Sequence, residues 1–428
     1  MERGAAAMYI PFDKVHNIGF ISTRFAGTDG VSLETEKWAR VFENEGFDCF
    51  YFAGELDRPP SQSHLVPEAH FMDPGIRSIF NAAFASHANG VRTRQLTTQI
   101  YELKEHLKDE LYKFVAKFKI DLLIPENALT IPLNIPLGLA ITELIAETGL
   151  PTIAHHHDFF WERPHFKTNA VWDYLNMAFP AHLPPIRHVV INSSASNQLS
   201  LRTGISATTI PNVMDFANPP PPPDAYASDV REALELEPDQ RLILQPTRVV
   251  KRKGIENAIE LVSRLGMKAL LVISHASGDE GHDYERRIID YSRRMQVNTR
   301  FVSNIINERR GTTSDGRKIY TLQDIYHHAD FVTYPSTREG FGNAFLEAIY
   351  FRKPILVNHY SIYTFDIKPK GFSAVEIDGY VTDEAVAKTR ALIEDSRLRQ
   401  EMVENNYALG RRFYSYEVLH DKLMNLMV

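Results

Sequence analysis

The stretch Tyr334-Pro335-Ser336-Thr337-Arg338-Glu339-Gly340-Phe341-Gly342-Asn343-Ala344-Phe345-Leu346-Glu347 closes an apolar run, passes through a glycine-rich turn and opens a helix. Amides exposed by such a turn, together with the helix's positive end of roughly half an elementary charge, suit an anion such as a phosphate. Glu339 lies in the turn and Glu347 follows about two helical turns later. Carboxylates beside an anion site would repel it, so both are expected to accept hydrogen bonds from hydroxyls of a sugar and a ribose. Helical spacing aligns Glu347 with Asn343 and Tyr350, and Leu346, Ala348 and Ile349 make its surroundings apolar. A solvated charge stripe is therefore the weaker reading.

Working outward, the same strand-turn-helix unit recurs along the chain. Towards the N-terminus, strands are expected at Ile18–Thr23, Asp48–Phe52, Asp121–Pro125, Pro151–His155 and His188–Asn192. Between the first two, Thr35, Trp38 and Phe42 recur at three- and four-residue spacing, and Gly46 stands where a left-handed helix cap would need it. Residues 92–119 read as a solvated amphipathic helix whose acidic and basic side chains offset one another. From Arg241 the alternation resumes, with strands at Leu242–Gln245, Ala269–Ser274, Arg300–Ser303, Asp330–Tyr334 and Pro354–Asn358 and helices near 254–265, 282–296, 321–329 and 342–351. This pattern implies an α/β fold of two Rossmann-like, doubly wound domains facing across a cleft.

Five consecutive prolines, Pro219 to Pro223, cannot continue a helix or a central strand, so the domain crossing is placed just before them and an extended spacer through them. The expected divisions are 1–214, 215–408 and a C-terminal helix at 409–428 that returns across the hinge. Residues 1–7 read as an extension, with a more strand-like segment opening at Met8.

Composition narrows the function class. The length of 428 residues suggests two or three domains at about 150 residues each. Hydrophobic residues at 44% and charged residues at 24% are those of an ordinary globular chain, which excludes a disordered one. A net charge of −7 offers no general attraction for nucleic acid or acidic lipid. No apolar run reaches the roughly 18 residues of a membrane span, and the opening residues lack a secretory apolar core, so a cytoplasmic enzyme without an integral membrane segment is expected. The single cysteine, Cys49, excludes an intramolecular disulfide and is expected to be buried.

Upstream of the glycine-rich turn, Leu242–Gln245 runs into Arg248, and Lys251, Arg252, Lys253 and Gly254 precede the next helix. Cations at the carboxyl end of a strand can neutralise a diphosphate without a metal, Arg248 with a planar fork of donors and Lys253 as a point charge. In the first half, Ala154-His155-His156-His157-Asp158 ends a strand. Alternation along a strand cannot send all three imidazoles the same way. Zinc binding is the competing chemistry; it is disfavoured because adjacent strand residues diverge and no HExxH or cysteine pair completes a ligand set. His327 and His328 read as packing or capping residues, and Phe159, Phe160 and Trp161 as core or an acceptor platform.

Four of these elements resemble glycosyltransferase family 4, the glycosyl transferases group 1, which are retaining enzymes of the GT-B fold. They are Glu339 with Glu347; Arg248, Lys253 and Gly254; the hinge Pro211-Asn212-x-x-Asp215; and the loop Gly27–Val31. The resemblance implies that Glu339 holds donor-sugar hydroxyls, Glu347 the ribose, and Arg248 and Lys253 the diphosphate. The turn Gly340, Phe341, Gly342 and Asn343 would offer amides to the donor. The family has an adjacent glycine pair where this chain reads Gly27-Thr28-Asp29-Gly30, and Gly30 is the better candidate for close approach to phosphate. A histidine facing the donor sugar corresponds to His157 or His156, and Glu162 and Arg163 are candidate acceptor contacts.

The implied reaction moves a hexosyl group, with retained configuration, from a nucleotide diphosphate sugar of GDP-mannose or UDP-glucose type to a hydroxyl of a small soluble sugar or glycoside. No metal and no prosthetic cofactor are expected, because cations take the metal's place. Other outcomes on the same architecture are a nucleotide-sugar epimerase, a sugar phosphorylase or a noncatalytic nucleotide-sugar sensor. The paired carboxylates do not suggest a glycosidase, since both lie in one turn-helix unit rather than flanking a scissile bond.

Overall fold

The computed structural model describes residues 15–27, 29–85, 90–277 and 281–427. The extension at 1–7, the segment opening at Met8 and Thr28 of the glycine-containing loop lie outside the described residues. Contacts gather residues up to Pro211, with those from Leu419 on, into one unit, and Asn212–Val418 into a second.

The N-terminal unit runs β1 (Asn17–Ile21), α1 (Gly30–Asn44), β2 (Asp48–Ala53), β3 (Ser63–Leu65), α2 (Pro74–Ala83), α3 (Arg94–Phe118), β4 (Leu122–Pro125), α4 (Ile135–Thr148), β5 (Thr152–His156), α5 (Trp172–Ala178), β6 (Ile186–Val190), α6 (Ser193–Thr203) and β7 (Ala207–Thr209). Its strands pair in parallel in the order β3-β2-β1-β4-β5-β6-β7. The order reverses between β1 and β4, so the loops leaving those two strands emerge side by side at the switch point where such sheets bind ligands.

Helix α1 forms because Thr35, Trp38 and Phe42 share its inner face; all three are buried, and Gly46 adopts the left-handed φ of 89° that ends the turn. Cys49 is likewise buried. Helix α3 departs from the solvated expectation: Leu107, Leu111 and Phe114 are fully buried. Lys104 donates to Glu143 of α4 at 2.6 Å and Lys108 to the same carboxylate at 2.9 Å. The lysines offset charges on the neighbouring helix as well as on their own.

The C-terminal unit runs α7 (Val230–Ala233), β8 (Arg241–Gln245), α8 (Ile255–Leu265), β9 (Ala269–Ile273), α9 (Asp283–Arg294), β10 (Thr299–Phe301), a hairpin of β11 (Gly311–Thr312) and β12 (Lys318–Ile319), α10 (Leu322–His328), β13 (Phe331–Tyr334), α11 (Asn343–Tyr350), β14 (Ile355–Asn358), β15 (Val375–Ile377), α12 (Asp383–Glu394) and α13 (Ser396–Tyr414). The last helix, α14 (Tyr416–Met427), contributes its residues from Leu419 on to the N-terminal unit. The parallel order β10-β9-β8-β13-β14-β15 again reverses at its centre, here between β8 and β13. One apolar cluster, including Ile243, Ile259, Leu271, Phe331 and Leu356, fills one side of this sheet.

Besides the two-residue β11 and β12, three strands escaped the sequence reading: β3, β7 and β15. Each has three residues with a polar one among them and sits at a sheet edge, where pairing with β2, β6 or β14 rather than its own alternation makes it a strand. The long loop after Val302 folds into the β11–β12 hairpin. The proline run is mostly exposed and carries neither helix nor strand. It is anchored at Asn218, whose carbonyl accepts from the Tyr350 hydroxyl at 2.8 Å, and at Asp224, which pairs with Arg310.

Candidate active site

In the C-terminal unit the turn after β8 and the turn after β13 meet because their strands are neighbours at the switch point. Gly254 makes the meeting close. Its φ is 59°, and a Cβ there would stand 2.4 Å from the carbonyl oxygen of Pro335. The Thr337 amide donates to the Arg252 carbonyl at 2.8 Å, tying the two turns together.

Across this junction Lys253 Nζ donates to Glu339 Oε1, and Arg252 donates to Glu339 Oε2 at 3.0 Å. Burial would raise the Glu339 carboxyl, but the charges of Lys253 and Arg252 outweigh it and hold the group below the usual carboxylate range. Burial also lowers the Lys253 ammonium, and Glu339 opposes that only in part. The pairing thus favours the charged form of Glu339, while burial works against the charged form of Lys253. Arg248 is exposed and makes no side-chain hydrogen bond or ion pair among the described residues, while its charge reaches both Lys253 and His275. The junction therefore holds three cations and one carboxylate, a net positive site.

Gly342, φ 123°, leads into α11, and a Cβ there would meet the Tyr360 hydroxyl at 2.3 Å. The Phe341 side chain is buried edge-on against Tyr414, so only its backbone is available to a ligand. Asn343 Oδ1 accepts from Asn212 Nδ2 at 2.7 Å. Glu347 is partly buried, and the Tyr326 hydroxyl, itself buried, donates to its Oε2 at 3.1 Å. Arg252 and Tyr326 hold the two glutamates, yet neither stands out in the sequence: one is hidden in a basic run and the other reads as core.

In the N-terminal unit the three histidines divide as alternation requires. His156 turns to one face, where its two ring nitrogens bond with the Thr130 hydroxyl and with His188. Burial lowers His156 well below its ordinary value and His188 to about 4. His155 and His157 share the other face and converge on Glu126 at the end of β4, their Nδ1 and Nε2 donating to its Oε2 at 2.9 and 3.1 Å. The divergence argument against a metal site thus holds for His156 alone. The other two imidazoles and Glu126 have donor atoms within 4.8 Å of one another, a set that could also hold a cation. Burial lowers His155 and works against His157, but hydrogen bonding to Glu126 carries His157 above its ordinary value.

Glu162 accepts from the Phe159 amide at 2.8 Å, and Arg163 pairs with Asp158 at 2.6 Å while staying partly exposed. Phe159, Phe160 and Trp161 are buried in the core beneath them. His328 Nε2 donates to the Ala227 carbonyl at 2.8 Å and His327 packs edge-on against Phe351, a capping and a packing role. Gly30 opens α1, and Asp29 before it accepts from the Val31 and Ser32 amides at 3.1 and 3.2 Å. A carboxylate therefore occupies the start of this helix. Among the described residues no helix is long and apolar enough to cross a membrane.

Comparison with known proteins agrees with this architecture. The family model for glycosyl transferases group 1 matches residues 227–409, which contain the whole Lys253–Glu339 junction. A mannosylglucosylglycerate synthase of Thermotoga maritima is 31% identical over 439 residues, covering 95% of this chain and 98% of that protein. A second, from Petrotoga mobilis, is 31% identical over 382 residues, covering 84% and 86%. The structure of Anabaena HepE in complex with UDP and glucose superposes with a TM-score of 0.64 at 14% identity, covering 96% of this chain and 99% of that one, and shows the shared GT-B fold. The chain belongs to the glycosyl transferases group 1 family and is a glycosyltransferase.

Proposed function

We propose that this enzyme moves a mannosyl group from a nucleotide diphosphate sugar to a hydroxyl of glucosylglycerate, with retained anomeric configuration and without a metal. The acceptor reading rests on the two relatives named mannosylglucosylglycerate synthase, one of which matches over 95% of this chain. The observation that carries the donor reading is the junction of Arg248, Lys253 and Glu339 at the β8/β13 switch point. The UDP in the HepE structure favours a nucleotide-linked donor of the same chemistry.

In this reading Arg248 and Lys253 grip the diphosphate and gain strength as the glycosidic bond breaks and charge gathers on the leaving group, which is the differential interaction that lowers a barrier. Glu339 accepts from the sugar's hydroxyls through the lone pairs its two cations leave, and Glu347 accepts from the ribose. Amides of Gly340 to Asn343, and of Gly30, approach donor oxygens. Of the two histidine candidates, His157 is preferred for the transferred sugar, because both nitrogens of His156 are already bonded to protein. Arg163, partly exposed even in its pair with Asp158, would meet the glycerate carboxylate, with Glu162 beside it for hydroxyls.

The test is release of nucleoside diphosphate from a panel of nucleotide sugars with glucosylglycerate as acceptor, followed by product analysis. Mannosyl transfer that persists in a chelator supports the proposal. Turnover that requires free phosphate would replace transfer with phosphorolysis, and donor binding without turnover on any acceptor would favour a sensor.

A further inference from the structure

Glu126 plays no part in the reading above, yet it is the most tightly enclosed carboxylate of the N-terminal switch point. It is 0% exposed and follows directly on β4. Its main chain is fixed from β1: the Glu126 amide donates to the Ile21 carbonyl at 2.8 Å, and the Ser22 hydroxyl donates to the Glu126 carbonyl at 3.0 Å. Its side chain receives His155 and His157 on one oxygen. His155 is in turn stacked on Trp38, ring centroids 4.1 Å apart, so it cannot swing away.

The next residue completes a clamp. Asn127 holds a left-handed φ of 58°, uncommon for a residue with a side chain. From that conformation its Oδ1 accepts from the His157 amide at 3.2 Å, and its Nδ2 donates to Asp158 at 3.3 Å. One dipeptide thus holds the His157 ring by its Nε2 and the His157 main chain by its amide.

We propose that Glu126, with Asn127, is a positioning residue for glycosyl transfer: it fixes the ring and proton of His157 so that Nε2 faces the carboxylate and Nδ1 is left for substrate. This rests on His157 serving the transferred sugar. A buried carboxylate is costly unless paired, and a single imidazole would pair it. Both imidazoles bind one carboxylate oxygen while Oε1 is left without a hydrogen-bond partner among the described residues, so the arrangement does more to fix the rings than to satisfy the carboxylate, and the Trp38 indole and the Asn127 amide hold His155 and His157 in turn.

The experiment is a double-mutant cycle in the full-length enzyme with a nucleoside diphosphate mannose as donor and glucosylglycerate as acceptor, using Glu126→Gln, Asn127→Gly and His157→Ala. Glycine retains the left-handed backbone of Asn127 while removing the clamp, so it guards against a Glu126 variant that fails to fold. Each of the first two changes should lower kcat on the order of 10²-fold, the effect of a small misplacement of a reacting group, with donor KM moved less than about threefold. In a His157→Ala background neither should lower kcat further. Effects that multiply in the double variants would overturn the inference, since a residue that lowers kcat by a route other than His157 keeps its effect when the imidazole is gone. A stoichiometric divalent ion in purified enzyme, lost in Glu126→Gln, would also overturn it by making Glu126 a ligand. If His157→Ala alone leaves turnover unchanged, the role given to His157 falls first, and the positioning role falls with it.

Discussion

Lys253, on the turn after β8, donates directly to Glu339, on the turn after β13, so the phosphate-binding cation and the sugar-binding carboxylate proposed for this enzyme touch within one unit. Each is the other's counter-charge before any substrate arrives. The consequence is that these residues serve the fold as well as their proposed part in the reaction, whereas Arg248, exposed and unpaired among the described residues, does not serve the fold.

Arg248→Ala should therefore separate the two roles. Loss of one preorganised donor to a developing anion costs about 2.7–4 kcal/mol of barrier, roughly 10²–10³ in turnover. The unfolding midpoint should hardly move, because an exposed side chain without a partner adds little stability. Steady-state kinetics beside a urea melt would decide it, and equal losses in both would remove Arg248 from the diphosphate.

Glu339→Gln should behave in the opposite way. It leaves the buried Lys253 ammonium without its carboxylate, a change that removes about 3 kcal/mol of stability. The parent enzyme should also lose stability on acidification. A carboxylate held low in the folded state adds stability above its unfolded value of about 4.3, and that gain disappears as pH falls through the lower folded value. Denaturant midpoints from pH 7 to pH 3 should show this acid limb flattened in Glu339→Gln; parallel curves would mean that the pair contributes nothing.

Gly254→Ala should destabilise the C-terminal unit by more than about 1 kcal/mol, since the left-handed backbone and the contact with Pro335 both resist a Cβ. Gly46→Ala is the control: its φ of 89° is just as left-handed, but a Cβ there meets nothing within 4 Å. A loss at Gly254 no larger than at Gly46 would show that the two turns are not held together by close approach.

Tyr326→Phe removes one hydrogen-bond donor from Glu347 and a buried hydroxyl from the core. The stability loss should be about 1–3 kcal/mol, and donor KM should rise more than kcat falls if Glu347 holds the ribose. An unchanged KM would assign the Tyr326–Glu347 bond to packing alone.

How much of this was legible beforehand differs from element to element. The interior strands carry long apolar runs, and α1 shows its buried face in Thr35, Trp38 and Phe42, so both were open to pattern reading. Strands β3, β7 and β15 were not, because an edge strand of three residues is defined by the neighbour it pairs with. The histidine run showed that one imidazole must oppose the other two, but not that a glutamate from β4 would gather His155 and His157.

Local order alone, strand followed by turn followed by helix, dictated the parallel α/β class and put Arg248, Lys253, Glu339 and Glu347 at or near the carboxyl ends of strands, because periodicity and turn chemistry are short-range properties of the chain. Tertiary structure decided which of those ends are neighbours. Only the reversal of strand order at β8/β13 and at β1/β4 brings Arg252 and Lys253 to Glu339 and ties Glu126 to Ile21 and Ser22 at the end of β1. Such pairings join residues about a hundred positions apart, and no local preference of either partner encodes the distance between them.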